Sequence, residues 1–299
     1  MNREPLVSIG LPVYNGAKYL RECIDSVLVQ TFPRFELIIS DNASTDETAE
    51  ICRAYSETDG RIKYVRQVEN RGAKSNFEYV LQHSSCKYFM WIAADDKIAP
   101  TFVEELYAVM SGNPDFSLAM SDAVVINSAG ETLAECRLDP IRVERGVKNW
   151  PAARSVFFRN PTSKIYFCIY GLYRREAVLR CELNYRGKVR YVEGLEIPFL
   201  AQVALTGKIG SVTGLLWFHR HHDGSSAIQS DRKATRWQRV DNMLNISSVI
   251  FVIARNAKLG GLSKLRIYWN IIWTLVKGLA GMTPGLGPLY RKVMSVLRD

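Results

Sequence analysis

The chain has 299 residues, of which 47% are hydrophobic and 23% charged, with a formal net charge of +9. That balance suits one large α/β domain with an appendage, and it excludes a disordered chain, a collagen-like chain or a small disulfide-stapled scaffold. The six cysteines, at positions 23, 52, 86, 136, 168 and 181, include no C-x-x-C pair. They read as reduced core thiols of a cytoplasmic protein. Residues 1–5 lead straight into an apolar run, so no signal peptide is expected.

In chain order, Leu6–Val13 predicts a buried strand, and Tyr14, Asn15 and Gly16 a turn. A helix follows over 17–31, with Leu20, Cys23, Ile24, Val27 and Leu28 at helical spacing. Phe35–Ser40 predicts a second strand ending at Asp41 and Asn42. Ser44–Glu47 has the capping-box pattern, which predicts a helix opening there and running to about Glu57. Ile62–Val65 predicts a third strand. Asn70, Arg71 and Gly72 turn into a helix with Ala73, Phe77, Val80 and Leu81 inward. Tyr88–Ala94 is a continuous apolar run, the mark of a core strand in a parallel sheet, and a helix with Phe102, Leu106, Val109 and Met110 inward follows from about Thr101. This β-α alternation predicts a doubly wound, mostly parallel α/β sheet.

The strand ends of such a sheet share one edge, where ligands bind. Here they deliver Tyr14, Asp41, Arg71, Asp95 and Asp96. The set is coherent for a nucleotide diphosphate. A ring can stack on a base, a carboxylate can accept a base N–H, and a guanidinium can meet phosphate oxygens. Adjacent Asp95 and Asp96 repel each other unless a cation joins them, and hard cations such as Mg²⁺ or Mn²⁺ bring phosphates with them. The G-x-G-x-x-G and G-x-x-x-x-G-K-[ST] patterns are absent, so a dinucleotide oxidoreductase or P-loop enzyme has no support.

Four segments carry a more specific resemblance: Val7–Asn15, Ser40–Asp46, Glu69–Gly72 and Trp91–Asp96. In that order and spacing the chain resembles a family 2 glycosyltransferase of the A-type, Rossmann-like fold. The resemblance is strong over 5–125, weaker to 226 and absent beyond. It implies that Pro12 and Tyr14 line the base pocket, that Asp41 reads the base, and that Arg71 lies near base or phosphates. It also implies that Asp95 lies near ribose or metal and that Asp96 ligates Mn²⁺ or Mg²⁺. Many relatives carry a further Asp where this chain has Ala93, which leaves the metal to the adjacent pair.

Beyond the donor half, about 1–125, the acceptor half runs to 230. Ser117–Ile126 predicts a strand, Gly130 a turn, and a second short strand follows. Residues 137–165 are basic and irregular and suit a loop over the acceptor. Tyr166–Tyr173 predicts another strand, and Phe199–Ile209 resembles the family's helix ending in Gly207 and Lys208. In relatives a carboxylate just before that helix is the general base. Counting back gives Glu196, with Glu193 as rival, and the plain alternative is an acid favoured at a helix N-terminus. After a strand over 212–218 comes His219–Asp223. No Cys or His lies at zinc-finger spacing to it, and by resemblance His222 is the member placed to reach the metal or the diphosphate.

Residues 231–299 hold 12 basic and 3 acidic residues, so this segment carries the whole net charge. It also holds Trp237, Trp269 and Trp273, and its uncharged stretches are too short to span a bilayer. A basic amphipathic helical tail with tryptophans suits an anionic membrane surface; the alternative is a helical pair packed on the domain. No nucleic acid partner is expected. The expected activity is inverting transfer of a sugar from a UDP- or dTDP-sugar to a hydroxyl of a glycan or lipid-linked acceptor in cell-surface polysaccharide synthesis. The alternatives are a sugar nucleotidylyltransferase and a non-catalytic basic binding module.

Overall fold

The structure is a computed structural model that describes residues 4–138, 166–181 and 196–223, together with Arg255 and Gly261. Its centre is a parallel sheet. β1 (Val7–Val13) pairs on one side with β2 (Phe35–Asp41), in register Val7 to Phe35 and Val13 to Asp41. On the other side it pairs with β4 (Tyr88–Trp91). β2 in turn pairs with β3 (Ile62–Arg66). Every residue of β1, β2 and β4 is buried, because helices cover both faces and the strands need no polar side. β3 lies at the sheet edge and is mostly exposed.

Three helices make the crossovers that parallel strands require: α1 (Ala17–Leu28), α2 (Thr48–Thr58) and α3 (Gly72–Gln82). α3 lies so close to β1 that a Cβ on Gly10 would meet Val80 Cγ2 at 2.6 Å. α2 opens at Thr48, later than the capping-box pattern implies. The Ser44 hydroxyl accepts the Asn15 N–H at 2.9 Å instead of capping the helix. On α3, Val80 and Leu81 are buried and Phe77 partly so, whereas Ala73, in the first turn, is exposed.

The second half extends the same sheet with mixed pairing. After β5 (Lys97–Ile98) and α4 (Phe102–Gly112) come β6 (Phe116–Ile126) and β7 (Thr132–Cys136), a hairpin whose turn holds Gly130 at φ +88. Tyr166–Tyr170 is a 3₁₀ turn, not the start of the expected strand, and only Leu172–Arg174 (β8) joins the sheet. Between the turn and β8, Gly171 packs against the Ala119 carbonyl, where no Cβ fits. α5 (Arg175–Leu179) and α6 (Glu196–Thr206) precede β9 (Lys208–Arg220). The nine-stranded order is β3-β2-β1-β4-β8-β6-β9-β5, with β7 beside β6. The fold class is the expected α/β sheet, parallel over most of its paired length, with β8 antiparallel between β4 and β6.

Trp91 joins the halves. Its indole N–H donates to the Phe77 carbonyl at 3.1 Å, and its ring meets Tyr173 and Phe199 edge-on at 5.7 Å. β9 runs parallel to β6 and antiparallel to β5, which carries its carboxyl end back to the segment just after β4. That return places residues 217–222 against Asp95 and Asp96.

Candidate active site

The loops after β1 and β2 hold each other. Asn15 (φ +49) and Ala43 (φ +60) both take left-handed conformations that non-glycine residues rarely adopt. The strain is held by bonds between the loops. The Gly16 N–H donates to Thr48 Oγ1 at 2.9 Å, Ala17 N–H to Asp46 Oδ2 at 3.1 Å, and Thr45 N–H to Asn15 Oδ1 at 2.8 Å. This clamp fixes Tyr14, which is 49% exposed at the carboxyl edge, while Pro12 behind it is buried in β1. A half-exposed ring on a clamped loop is a preformed stacking surface.

Asp41 ends β2 and is fully buried. Its carboxylate accepts the Ser44 N–H at 2.8 Å and the Tyr64 hydroxyl at 3.1 Å, and Arg66 Nε lies 3.7 Å away. Arg71 stands just before α3. Its backbone N–H is held by Asn42 Oδ1 at 3.1 Å, while its guanidinium is exposed and touches only Glu69 among the described residues. Asn76, buried on α3, donates to the Val13 and Ser40 carbonyls and so fixes the ends of β1 and β2 relative to α3.

The two adjacent aspartates differ. Asp96 is 1% exposed, and its oxygens accept the Trp217 indole N–H at 3.2 Å and the Arg220 backbone N–H at 2.8 Å. His219 Nδ1 lies 3.2 Å from the same carboxylate. Burial opposes the charged form of His219, but the Asp96 carboxylate outweighs it and raises the imidazole pKa. Asp95 turns the other way. Its side chain is 31% exposed, and its Oδ2 lies 3.1 Å from His222 Nε2. Burial, then the charge of Asp96, pushes the Asp95 carboxyl above the usual range, and the His222 hydrogen bond only partly offsets this.

Asp96, expected from the sequence to ligate a cation, is the more enclosed member of the pair. Its oxygens already serve three side-chain and backbone groups, and it tethers the end of β9. Asp95 and His222 form the accessible pair. Among the described residues no group of three or more His, Cys, Asp or Glu converges on one point. Glu196 is the first residue of α6, and Glu193 lies outside the described residues. Trp217, Arg220, Tyr64 and Arg66 were not singled out from the sequence. Arg220 sits inside the histidine cluster, where its own strand-end position is the signal that the histidines mask.

The sheet order, the clamped Tyr14 loop and a carboxylate pair at the carboxyl edge define the A-type nucleotide-sugar transferase architecture. The model of Glycosyl transferase family 2 matches residues 8–180, more than half of the chain, and the chain belongs to that family. It is 39% identical over 101 residues to the glycosyltransferase GlyA of Streptococcus pneumoniae, covering 34% of this chain and 14% of that protein. It is 27% identical over 198 residues to the uncharacterized glycosyltransferase YibD of Escherichia coli, covering 65% of this chain and 54% of YibD. The chain thus spans about half the length of these relatives or less. Among solved structures, S. aureus TarS 1–349 in complex with UDP-GlcNAc superposes with a TM-score of 0.68 at 17% identity, covering 89% of this chain and 71% of that one. A mannosyltransferase, PcManGT from Pyrobaculum calidifontis in complex with GDP-Man and Mn²⁺, superposes at 0.59 with 16% identity, covering 99% and 81%. At such identity these two likenesses speak for the fold.

Proposed function

We propose that this protein transfers a sugar, with inversion, from a UDP- or dTDP-sugar to a hydroxyl of a glycan or lipid-linked acceptor in cell-surface polysaccharide synthesis. The observation that carries the reading is Asp95: a part-exposed carboxylate with a raised pKa, paired with His222 at the sheet edge that also presents Tyr14, with Asp41 buried at the end of β2. Such a carboxylate is short of positive charge, which a cation bound to a diphosphate supplies. The nucleotide complexes of TarS and PcManGT, and the Mn²⁺ of the latter, agree with this choice of ligands.

Tyr14 stacks on the base above Pro12, Asp41 accepts its ring N–H, and Arg71 reaches a phosphate. Asp95 and His222 would hold the divalent cation together with Asp96, which also tethers the end of β9 beside them. When bound, Mn²⁺ or Mg²⁺ supplies Lewis-acid stabilisation to the departing diphosphate. Glu196, at the start of α6, takes the acceptor proton, with Glu193 the rival for that role.

The domain comprises residues 1–230 as donor and acceptor halves. Residues 231–299, which apart from Arg255 and Gly261 lie outside the described residues, would on this reading be a basic helical tail resting on an anionic membrane from the cytoplasmic side, each cation near the surface contributing on the order of 1 kcal/mol. Among the described residues no helix is long and apolar enough to cross a membrane.

The test is thermal shift with UDP, dTDP, GDP and CDP, each with Mn²⁺ and with a chelator, followed by nucleotide release from a panel of nucleotide sugars. UDP or dTDP with Mn²⁺ should raise the melting temperature, since a ligand at about 100 times its Kd adds about 2.7 kcal/mol. Indifference to every nucleotide diphosphate sinks the reading. For the tail, the chain cut after residue 230 should stay folded and lose low-salt binding to anionic liposomes. Insolubility of that fragment means the tail packs on the domain instead.

A further inference from the structure

Two buried side chains touch the Asp95–His222 pair and have no part in the reaction as proposed. Arg220 is 2% exposed. Its Nε donates to the Asp95 carbonyl at 2.9 Å and its Nη1 to the Asn127 and Ser128 carbonyls at 3.2 and 3.4 Å. Its Nη2 pairs with Glu22 on α1. One guanidinium thus ties the aspartate loop, the β6–β7 turn and α1 to the end of β9. Every nitrogen has a partner, the condition under which a buried guanidinium is tolerated.

Tyr19, in the first turn of α1, is 9% exposed. Its ring centroid lies 4.9 Å from that of His222, and Arg220 Cζ lies 4.6 Å from the same ring. The imidazole of His222 therefore touches Asp95 through Nε2 and the Tyr19 ring through its body. The Tyr19 hydroxyl, by contrast, is buried and has no hydrogen-bond partner among the described residues. A hydroxyl in that condition gives no favourable bond, so the ring is the part that acts.

We propose that Tyr19 and Arg220 are positioning residues: they form a seat that holds the His222 imidazole against the Asp95 carboxylate. The proposal rests on the reading of Asp95 and His222 as the cation's ligands. Arg220 fixes the backbone on both sides of the pair, at the Asp95 carbonyl and two residues before His222. Tyr19 fixes the ring plane, with Arg220 stacked on the same aromatic ring by cation–π attraction. A ligand imidazole left to rotate spends part of its time turned from the site. Groups that orient metal ligands typically change metal affinity by 10- to 100-fold when removed. The seat would also explain why α1, which follows the base-pocket loop, carries an aromatic residue one turn in.

The experiment uses the full-length chain. It has four histidines, so the His222 Cε1–H resonance is assigned by its loss in His222→Gln. In the ligand-free protein the Tyr19 ring current displaces that resonance. Tyr19→Leu and Arg220→Lys should each move it toward a free imidazole position, and Tyr19→Phe, which keeps the ring, should restore it. In calorimetric titration with UDP and Mn²⁺, Tyr19→Leu and Arg220→Lys should weaken binding by about tenfold or more, with rescue by Tyr19→Phe. A His222 resonance unmoved by Tyr19→Leu overturns the seat. So does a Tyr19→Phe protein as weak as Tyr19→Leu, since the hydroxyl would then be the active group. If the wild-type chain binds neither UDP nor dTDP, the nucleotide-sugar reading falls, while the ligand-free resonance still decides whether Tyr19 and Arg220 hold His222.

Discussion

Two carboxylates at opposite ends of the parallel sheet, Glu36 and Asp95, stand in opposite electrostatic conditions. At the amino end, Glu36 on β2 accepts the Ser8 hydroxyl at 2.5 Å, the Ser85 N–H at 3.1 Å and hydroxyl at 3.0 Å, and pairs with Lys63 at 2.6 Å. Burial alone would raise its pKa, yet the Lys63 ammonium and the Ser8 and Ser85 donors hold it down at about 2. At the carboxyl end, burial and Asp96 push Asp95 up. One carboxylate is completed by the protein's own donors, and the other is left short of positive charge. A buried acid in the first condition is a structural tie; an accessible acid in the second has room for a ligand.

The sharpest way to break this contrast is to neutralise each acid in turn. Asp95→Asn should lower turnover with a nucleotide sugar by about 10²–10³-fold, since a divalent cation contributes several kcal/mol and each 1.4 kcal/mol is a factor of ten. Glu36→Gln should leave the turnover of the folded protein within about twofold. Steady-state kinetics with Mn²⁺ on both variants decides. Equal losses, or an Asp95→Asn enzyme with full Mn²⁺-dependent turnover, would erase the distinction between the ends.

The reverse holds for stability. Glu36 has a folded pKa of about 2 against an ordinary value of 4.5. A depressed carboxyl stabilises the fold fully above its unfolded pKa, and that contribution is lost as pH falls from about 4.5 toward 2. The shift corresponds to on the order of 3 kcal/mol as an upper bound, because Lys63 is 60% exposed and its share is screened. Urea melts of wild type and Glu36→Gln should therefore differ by roughly 2 kcal/mol at pH 7 and converge only as the pH falls to about 2. Parallel pH profiles would mean that Glu36 carries no such tie.

The same contrast shows what could be read from the sequence. β1, β2 and β4 were legible because strands covered on both faces must be continuous apolar runs. The edge residues Tyr14, Asp41, Arg71 and Asp95 followed, since each comes directly after such a run or at the turn into a helix. The division of labour between Asp95 and Asp96 was not legible. Neighbouring residues leave a strand end on opposite sides, so one had to turn inward, but the choice depends on Trp217, His219 and Arg220, which arrive more than 120 residues later. Tyr166–Tyr173 misled for a similar reason. Its aromatic run suits a strand, but the chain makes a 3₁₀ turn there and then passes β6 at Gly171, where the Ala119 carbonyl leaves no room for a side chain.

The smallest expected effect tests whether the open end also uses exposed charge. Arg71 has a side chain 66% exposed, and its ion pair with Glu69 is equally open to solvent. Such a pair contributes about 0–1 kcal/mol to folding, so Arg71→Ala should leave the melting temperature nearly unchanged. Its backbone N–H, held by Asn42, survives the substitution, so the start of α3 should keep its place. If the guanidinium meets a phosphate oxygen, the substitution removes one charge-assisted hydrogen bond in a partly solvated setting. That corresponds to about 1 kcal/mol, or roughly a fivefold weaker affinity for UDP with Mn²⁺. The loss should shrink as salt rises, because an exposed charge is screened within about 10 Å at 0.1 M. Calorimetric titration at low and high salt measures both. An affinity that does not change at low salt would place Arg71 outside the donor site, leaving Asp95 and His222 as the groups at that end that bear on the diphosphate.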